Sequence, residues 1–148
     1  MSPRRLARLA LSFGWELPQN ALGAAALALQ LARGRVRSLG VSRERLMIEL
    51  EGGAAVSLGF FVFHTSSDNE FVPVGPENEA HEFGHSVQSR RLGPLYLPLI
   101  GLPSVLRVAY AVTYKIRYGT RWAHYYDGYP EDEADALGGV DRTLRPRP

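Results

Sequence analysis

The chain predicts an α+β fold, and three observations carry that expectation. Helix start and stop signals bracket Leu17–Arg33 and the stretch from Pro76 to Arg91. A period-2 strand pattern at Arg45–Glu51 is followed by a β-rich run at Ala54–His64. A third segment opens on Pro130 and closes on Gly138-Gly139, as a short helix would. The 148 residues fit one domain, on a scale of roughly 100–200 residues per domain. We place it over residues 1–140, with 141–148 as a disordered tail ending Arg145-Pro146-Arg147-Pro148. Hydrophobic residues make up 45% and charged residues 22%, enough apolar material to bury a core.

Taken in order, Met1–Arg8 is basic, but the apolar run behind it soon meets Gly14 and Glu16 without a cleavage site, so a signal peptide is not expected. In the Leu17–Arg33 helix Pro18 suits the first turn and Gly34 the end. The next segment sets Leu46, Ile48 and Leu50 against Met47, Glu49 and Glu51, a half-buried strand. Gly52-Gly53 reads as a turn, after which Ala54–His64 should pair back as a hairpin; Thr65–Asn69 is loop. Pro76 then opens a helix with Glu77 and Glu79 in its first turn, where the dipole favours acids; Arg90, Arg91 and Gly93-Pro94 end it. Leu95–Val112 is apolar but holds Pro98, Gly101, Pro103 and Arg107, so a simple spanning helix is not expected. Core packing is its first reading, with an apolar lid or a lipid-docking surface as alternatives; Ser104–Arg117 should be helical.

Charge is sorted along the chain although the net value is only +2. Residues 46–89 contain no Lys or Arg, every formal charge from Arg90 to Arg121 is positive, and every one from Trp122 to Gly139 is negative. The basic stretches suit nucleic acid or an anionic membrane surface, with a solvated face as the plain alternative. No phosphate loop or dinucleotide fingerprint is present, and no nucleic-acid partner is expected. The two acidic stretches suit a dication. With no cysteine in the chain, a transition metal would have to be held by His, Asp or Glu.

The strongest chemical signal is His81-Glu82-Phe83-Gly84-His85. Residues i and i+4 share a helix face, so both imidazoles can reach one tetrahedral ion, and Glu82 is placed to take a proton from water activated there. A third ligand is needed. His64 and His124 are candidates, but the acidic cluster Glu131–Asp135 is better placed. Glu131 and Asp135 are themselves i and i+4, so one carboxylate can bind the metal while the other accepts an N–H from a ligating histidine. The plain alternative for that cluster is compensation of a helix dipole. His124, Tyr125 and Tyr126 precede it and are donors of the kind that stabilise an oxyanion, with ordinary packing as their other reading. Gln88 and Ser89 read as the polar side of the helix.

HExxH followed by a Glu with an acidic partner four residues on resembles the gluzincin clan, the thermolysin-like zinc peptidases. The strings HEFGHSVQSRRLGPLYLPLIGLPS and YPEDEADALGGV are also similar to a group of small bacterial proteins carrying HExGHxxQSxxLGPLYLP and a later ExxADxLGG. Trp15–Gln19 resembles their N-terminal part. The resemblance implies a minimal zincin-like core: the HExxH helix beside a small hairpin or sheet, with an N-terminal helix and a C-terminal Glu helix. It implies Zn2+ on His81, His85 and Glu131, Glu82 as general base, and Asp135 orienting a histidine. His124 and Tyr126 complete the expected catalytic set, and Val56–His64 or Phe71–Val74 would supply an edge strand for substrate. A metallopeptidase acting on peptide or protein is the first expectation, cytoplasmic with peripheral membrane contact. A zincin-like binding or regulatory module with little turnover is the alternative.

Overall fold

The computed structural model describes residues 2–142. They form α1 (Pro3–Trp15), α2 (Leu17–Ala32), β1 (Val36–Ser42), β2 (Arg45–Leu50), β3 (Val56–Leu58), β4 (Phe61–His64), α3 (Asn78–Leu92), α4 (Leu102–Tyr118) and α5 (Glu131–Gly138). A 3-10 turn at Gly93–Leu95 and a π-helical turn at Leu97–Gly101 lead into α4. Five α-helices and one four-stranded mixed sheet make this an α+β fold. Residues 143–148, most of the expected tail, lie outside the described residues.

The sheet runs in the order β1-β2-β4-β3 and differs from the expected hairpin. β2 pairs in parallel with β4, Leu46 opposite Phe61 and Ile48 opposite Phe63, while β3 and β4 form the antiparallel pair. The cause is Gly59, which splits Ala54–His64 into two strands with φ +63. A Cβ there would lie 2.2 Å from Asn20 Oδ1, and that oxygen accepts the Phe60 N–H at 2.6 Å. A side chain of α2 therefore caps the turn, and only the returning half of the run reaches β2. β1 escaped the sequence reading because it is mostly exposed and its turn into β2 uses Arg43 and Glu44, both at positive φ, instead of the usual Gly or Asn. Phe71–Val74 is not a strand: Asn69 Oδ1 accepts the N–H groups of Phe71 and Val72 and holds the segment in a turn.

Ile48, Leu50 and Phe63 form the centre of the core, with Ala26, Leu27 and Leu58 among the residues packed on it. Burying each large side chain contributes roughly 1.5–3 kcal/mol. A polar seam joins α2 to α3. Arg45 donates to both Glu16 oxygens at 2.8 and 3.0 Å and to the Ser86 carbonyl at 2.7 Å, while Ser89 donates to Glu16 at 2.6 Å. Glu16 is fully buried, and these bonds offset the desolvation of the pair.

Two glycines set the distance between α3 and α5. A Cβ on Gly84 would lie 1.9 Å from the Ala134 carbonyl oxygen, and one on Gly138 would lie 2.1 Å from that of Ala80. The two backbones touch, which no other residue at these positions would allow.

The Pro-containing segment also departs from expectation. Leu97–Tyr118 is a continuous helical stretch of 22 residues, long and apolar enough to cross a membrane by length and composition. Only 11% of its most apolar window is buried, so it is not core. Pro103 cannot donate to the carbonyl of Leu99, and the Tyr129 hydroxyl fills that acceptor at 3.0 Å. The preceding π turn and this outside donor let the helix continue through its prolines.

Candidate metal centre

α3 projects His81, Glu82 and His85, and α5 projects Glu131 and Asp135 against them. The helical i, i+4 spacing brings the two imidazoles to one face, with ring centroids 4.7 Å apart. Glu131 Oε2 stands 3.1 Å from Nε2 of His81 and 3.1 Å from Nε2 of His85. The three residues are buried, and together they could hold a metal ion.

The outward nitrogens decide what the inward ones are. His81 Nδ1 lies 2.7 Å from Asp135 Oδ1, an acceptor, so that nitrogen carries a proton. His85 Nδ1 lies 2.7 Å from Gln88 Oε1. The Gln88 amide cannot be turned round, because its Nε2 donates to the Pro130 carbonyl at 3.1 Å and to Glu133 at 2.7 Å. His85 Nδ1 is therefore a donor as well. In the neutral rings both Nε2 atoms present lone pairs towards a carboxylate oxygen. That arrangement is repulsive unless protons or a cation lie between them, and a cation with two imidazole nitrogens and one carboxylate oxygen is a familiar donor set.

Without a cation, protons do the work. Burial pulls the His81 pKa down, but the Asp135 and Glu131 hydrogen bonds outweigh it and raise it to about 9. Burial raises Glu131, yet bonding to the two histidines leaves its pKa far below the ordinary carboxylate range. Glu82 is pushed upwards, chiefly by burial and against the pull of the His85 and His81 charges. Its carboxylate accepts from Ser57 Oγ on β3 at 3.1 Å, and the same hydroxyl is bonded to the Glu82 carbonyl.

Further partners hold the ligands in place. Ser104 of α4 donates to Glu131 Oε1 at 2.5 Å, leaving Oε2 for the histidines. Arg142 donates to both Asp135 oxygens, at 2.6 and 3.0 Å, and its guanidinium lies 3.4 Å over the Tyr126 ring. Arg142 thus belongs to the folded unit and not to the tail in which the sequence reading put it. Tyr126 packs edge-on against His81 at 5.1 Å, and its hydroxyl donates to the Pro73 carbonyl at 2.6 Å. That hydroxyl is engaged, so Tyr126 sits at the centre as a wall of the His81 ring.

His124, expected as a catalytic donor and weighed as a third ligand, has a side chain 60% exposed and held by Asp127 Oδ2 at 2.7 Å, and it is not among the residues that together could hold an ion. The residue falls in an irregular segment whose backbone carbonyls bind Arg107, so its place in the sequence beside Glu131 did not translate into proximity of the ring. His64 ends β4, where its charge acts on Glu49, and it too is outside the cluster.

Among the residues missed, Gln88 had a signal: it lies three positions after His85 on the same helix. Ser57, Ser104 and Arg142 had none, since each comes from a different element and reaches the centre only through packing.

Fold and site together define an α+β protein with a buried, preorganised two-histidine, one-carboxylate cluster. Comparison with family models, with curated proteins and with solved structures finds no match.

Proposed function

We propose that the chain is a zinc-dependent hydrolase, a gluzincin-like metallopeptidase acting on peptide or protein in the cytoplasm, in peripheral contact with a membrane. The observation that carries the reading is the convergence of His81 Nε2, His85 Nε2 and Glu131 Oε2 while both Nδ1 atoms are locked outwards. Two nitrogens and one oxygen, with a fourth position left for solvent or substrate, are the donor set of catalytic zinc sites. When bound, zinc would supply Lewis acidity to a substrate carbonyl and acidity to a coordinated water. Glu82 supplies the proton traffic: one residue on from His81 and held by Ser57, its carboxylate is placed to accept a proton from water and return it to a leaving amine. Ser57 orients its carboxylate, and the pair Arg142–Asp135 fixes the His81 ring.

A second reading, a zincin-like module with little turnover, has its own support. His81, Glu82 and His85 are no more than 5% exposed and Glu131 is 1% exposed. The Tyr96 hydroxyl also takes up the Ser57 carbonyl at 2.9 Å, on the strand beside the HExxH helix where a substrate would pair. Metal analysis of the wild type, Glu131→Ala and Glu82→Gln tests both readings. The hydrolase reading expects about one zinc in the wild type, loss in Glu131→Ala and retention in Glu82→Gln, with peptide cleavage falling roughly 10²–10⁴-fold in Glu82→Gln. Zinc with no cleavage of any member of a peptide library would leave the binding module. A wild type that takes up no metal would remove both.

A further inference from the structure

We infer that the outer face of the Leu97–Tyr118 helix is a docking surface for an anionic lipid bilayer, lying in the plane of the interface and not crossing it. This deepens the peripheral contact proposed above and uses no part of the metal reading.

Within α4, Leu102, Val105, Leu106, Ala109, Thr113 and Ile116 recur at three- and four-residue spacing and are all exposed, forming one stripe on one side of the helix. Val105 is 64%, Leu106 60% and Ile116 75% exposed, which is unusual for aliphatic side chains on the longest helix of a small fold. The stripe is extended beyond the N-terminal end of α4 by Leu95 and Leu99, both exposed. Exposed Trp15 of α1 adjoins this end, its indole N–H donating to the Arg90 carbonyl and its ring lying against Gly93. Such an area in water costs free energy at about 25 cal/mol per Å2.

Charge chooses the occupant. Every formal charge between Arg90 and Arg121 is positive, with Lys115 and Arg117 in the last turn of α4 and Arg117 flanking the stripe. A second copy of this helix laid against the first would bring like charges together, whereas anionic headgroups complement them. Exposed Tyr110 and Tyr118 sit among these residues, side chains suited to the headgroup level.

The other face of α4 decides against crossing. Arg107 donates to the carbonyls of His124, Tyr125 and Asp127, and Trp122 packs on Tyr110 at 4.7 Å, so the irregular segment after α4 runs back along it. Beyond the helix, Arg121 pairs with Asp68 at 2.7 Å and Tyr126 donates to Pro73, tying that segment to the body of the fold. A span would drag this polar, irregular backbone into hydrocarbon, where its groups have no partners. A helix with one apolar face and basic residues near it instead rests about 5–10 Å into the interface.

Flotation of the full chain with phosphatidylcholine–phosphatidylglycerol vesicles and with pure phosphatidylcholine vesicles tests this. The expected result is binding to the anionic vesicles, weaker binding to the zwitterionic ones, and weakening with added salt. Val105→Glu with Leu106→Glu should lower the partition roughly tenfold or more while thermal unfolding is unchanged. Lys115→Gln with Arg117→Gln should remove the preference for anionic vesicles even if the first variant folds poorly. Flotation that survives in both double variants would keep the membrane contact but overturn this surface. A wild type that floats with neither vesicle would overturn both, as would a solution dimer that the Val105/Leu106 variant dissociates. Resistance to alkaline carbonate extraction from cell membranes would overturn the in-plane orientation.

Discussion

Helices α3 and α5 bury polar side chains where α4 exposes apolar ones, and the contrast shows what each region is built against. In α3, His81, Glu82, His85, Ser86, Gln88 and Ser89 are all buried and have polar partners within the fold. Buried polar groups persist only when satisfied, so such a helix is meaningful only beside α5. In α4, only Ala111 is fully buried, and among the described residues the apolar outer stripe stays exposed. One region is closed by its own chain and the other faces solvent. Breaking each should therefore give opposite phenotypes.

The largest effect is expected at Gly84. Gly84→Ala puts a methyl group against the Ala134 carbonyl, which is backbone and cannot swing aside. The helices must separate, with a loss of about 3 kcal/mol or more in denaturant unfolding and loss of bound metal.

Next comes the pH response, which distinguishes the metal-free from the zinc-loaded protein. In the metal-free state His81 has a raised pKa of about 9. Its contribution is therefore fully present below the unfolded value of about 6.5 and lost as pH rises through the folded one, a swing of about 3 kcal/mol. Glu131 and Asp135 have lowered pKa values, so their contribution is present above the ordinary carboxylate range and lost on acidification. Melting temperatures with chelator should fall between about pH 6.5 and 9. With zinc the trend should reverse, since the ligands must lose protons to bind. A curve unchanged by chelator and zinc alike would mean that no ion binds.

A smaller change is expected for Gln88→Leu, which leaves the ligands intact but frees the His85 ring. Zinc affinity in a competition titration should fall about 10–100-fold. The smallest effect belongs to α4: Val105→Glu with Leu106→Glu should change unfolding free energy by no more than about 0.5 kcal/mol. A large loss there would show that the exposed stripe is packed in solution and would erase the contrast.

Much of the architecture could be read from residue order. The bounds of α2, the end of α3 at Gly93 and the span of α5 follow capping and stop signals, which are local. β1 could not be read, because its turn at Arg43-Glu44 lacks the glycine or asparagine that marks such turns. Nor could the parallel pairing of β2 with β4, which depends on Asn20 reaching the Phe60 amide across 40 positions. The helix over Ser104–Arg117 could be read, but its continuation back through Pro103 and Pro98 could not, because prolines are read as breakers, while Tyr129, 30 residues from Leu99, supplies the donor that Pro103 lacks.

For the centre, the sequence by itself determined that His81 and His85 share a helix face with Glu82 between them, because helical spacing is a local property of the backbone. It also made Glu131 and Asp135 the most suitable acids, by the same i, i+4 rule. Only the tertiary structure decided that Glu131, and not His64 or His124, joins the two histidines in a cluster that could hold an ion, and assigned Ser57, Gln88, Ser104 and Arg142 their partners. The physical reason is distance along the chain. Glu131 is 46 residues from His85, and it comes within 3.1 Å only because Gly84 and Gly138 let two helix backbones touch.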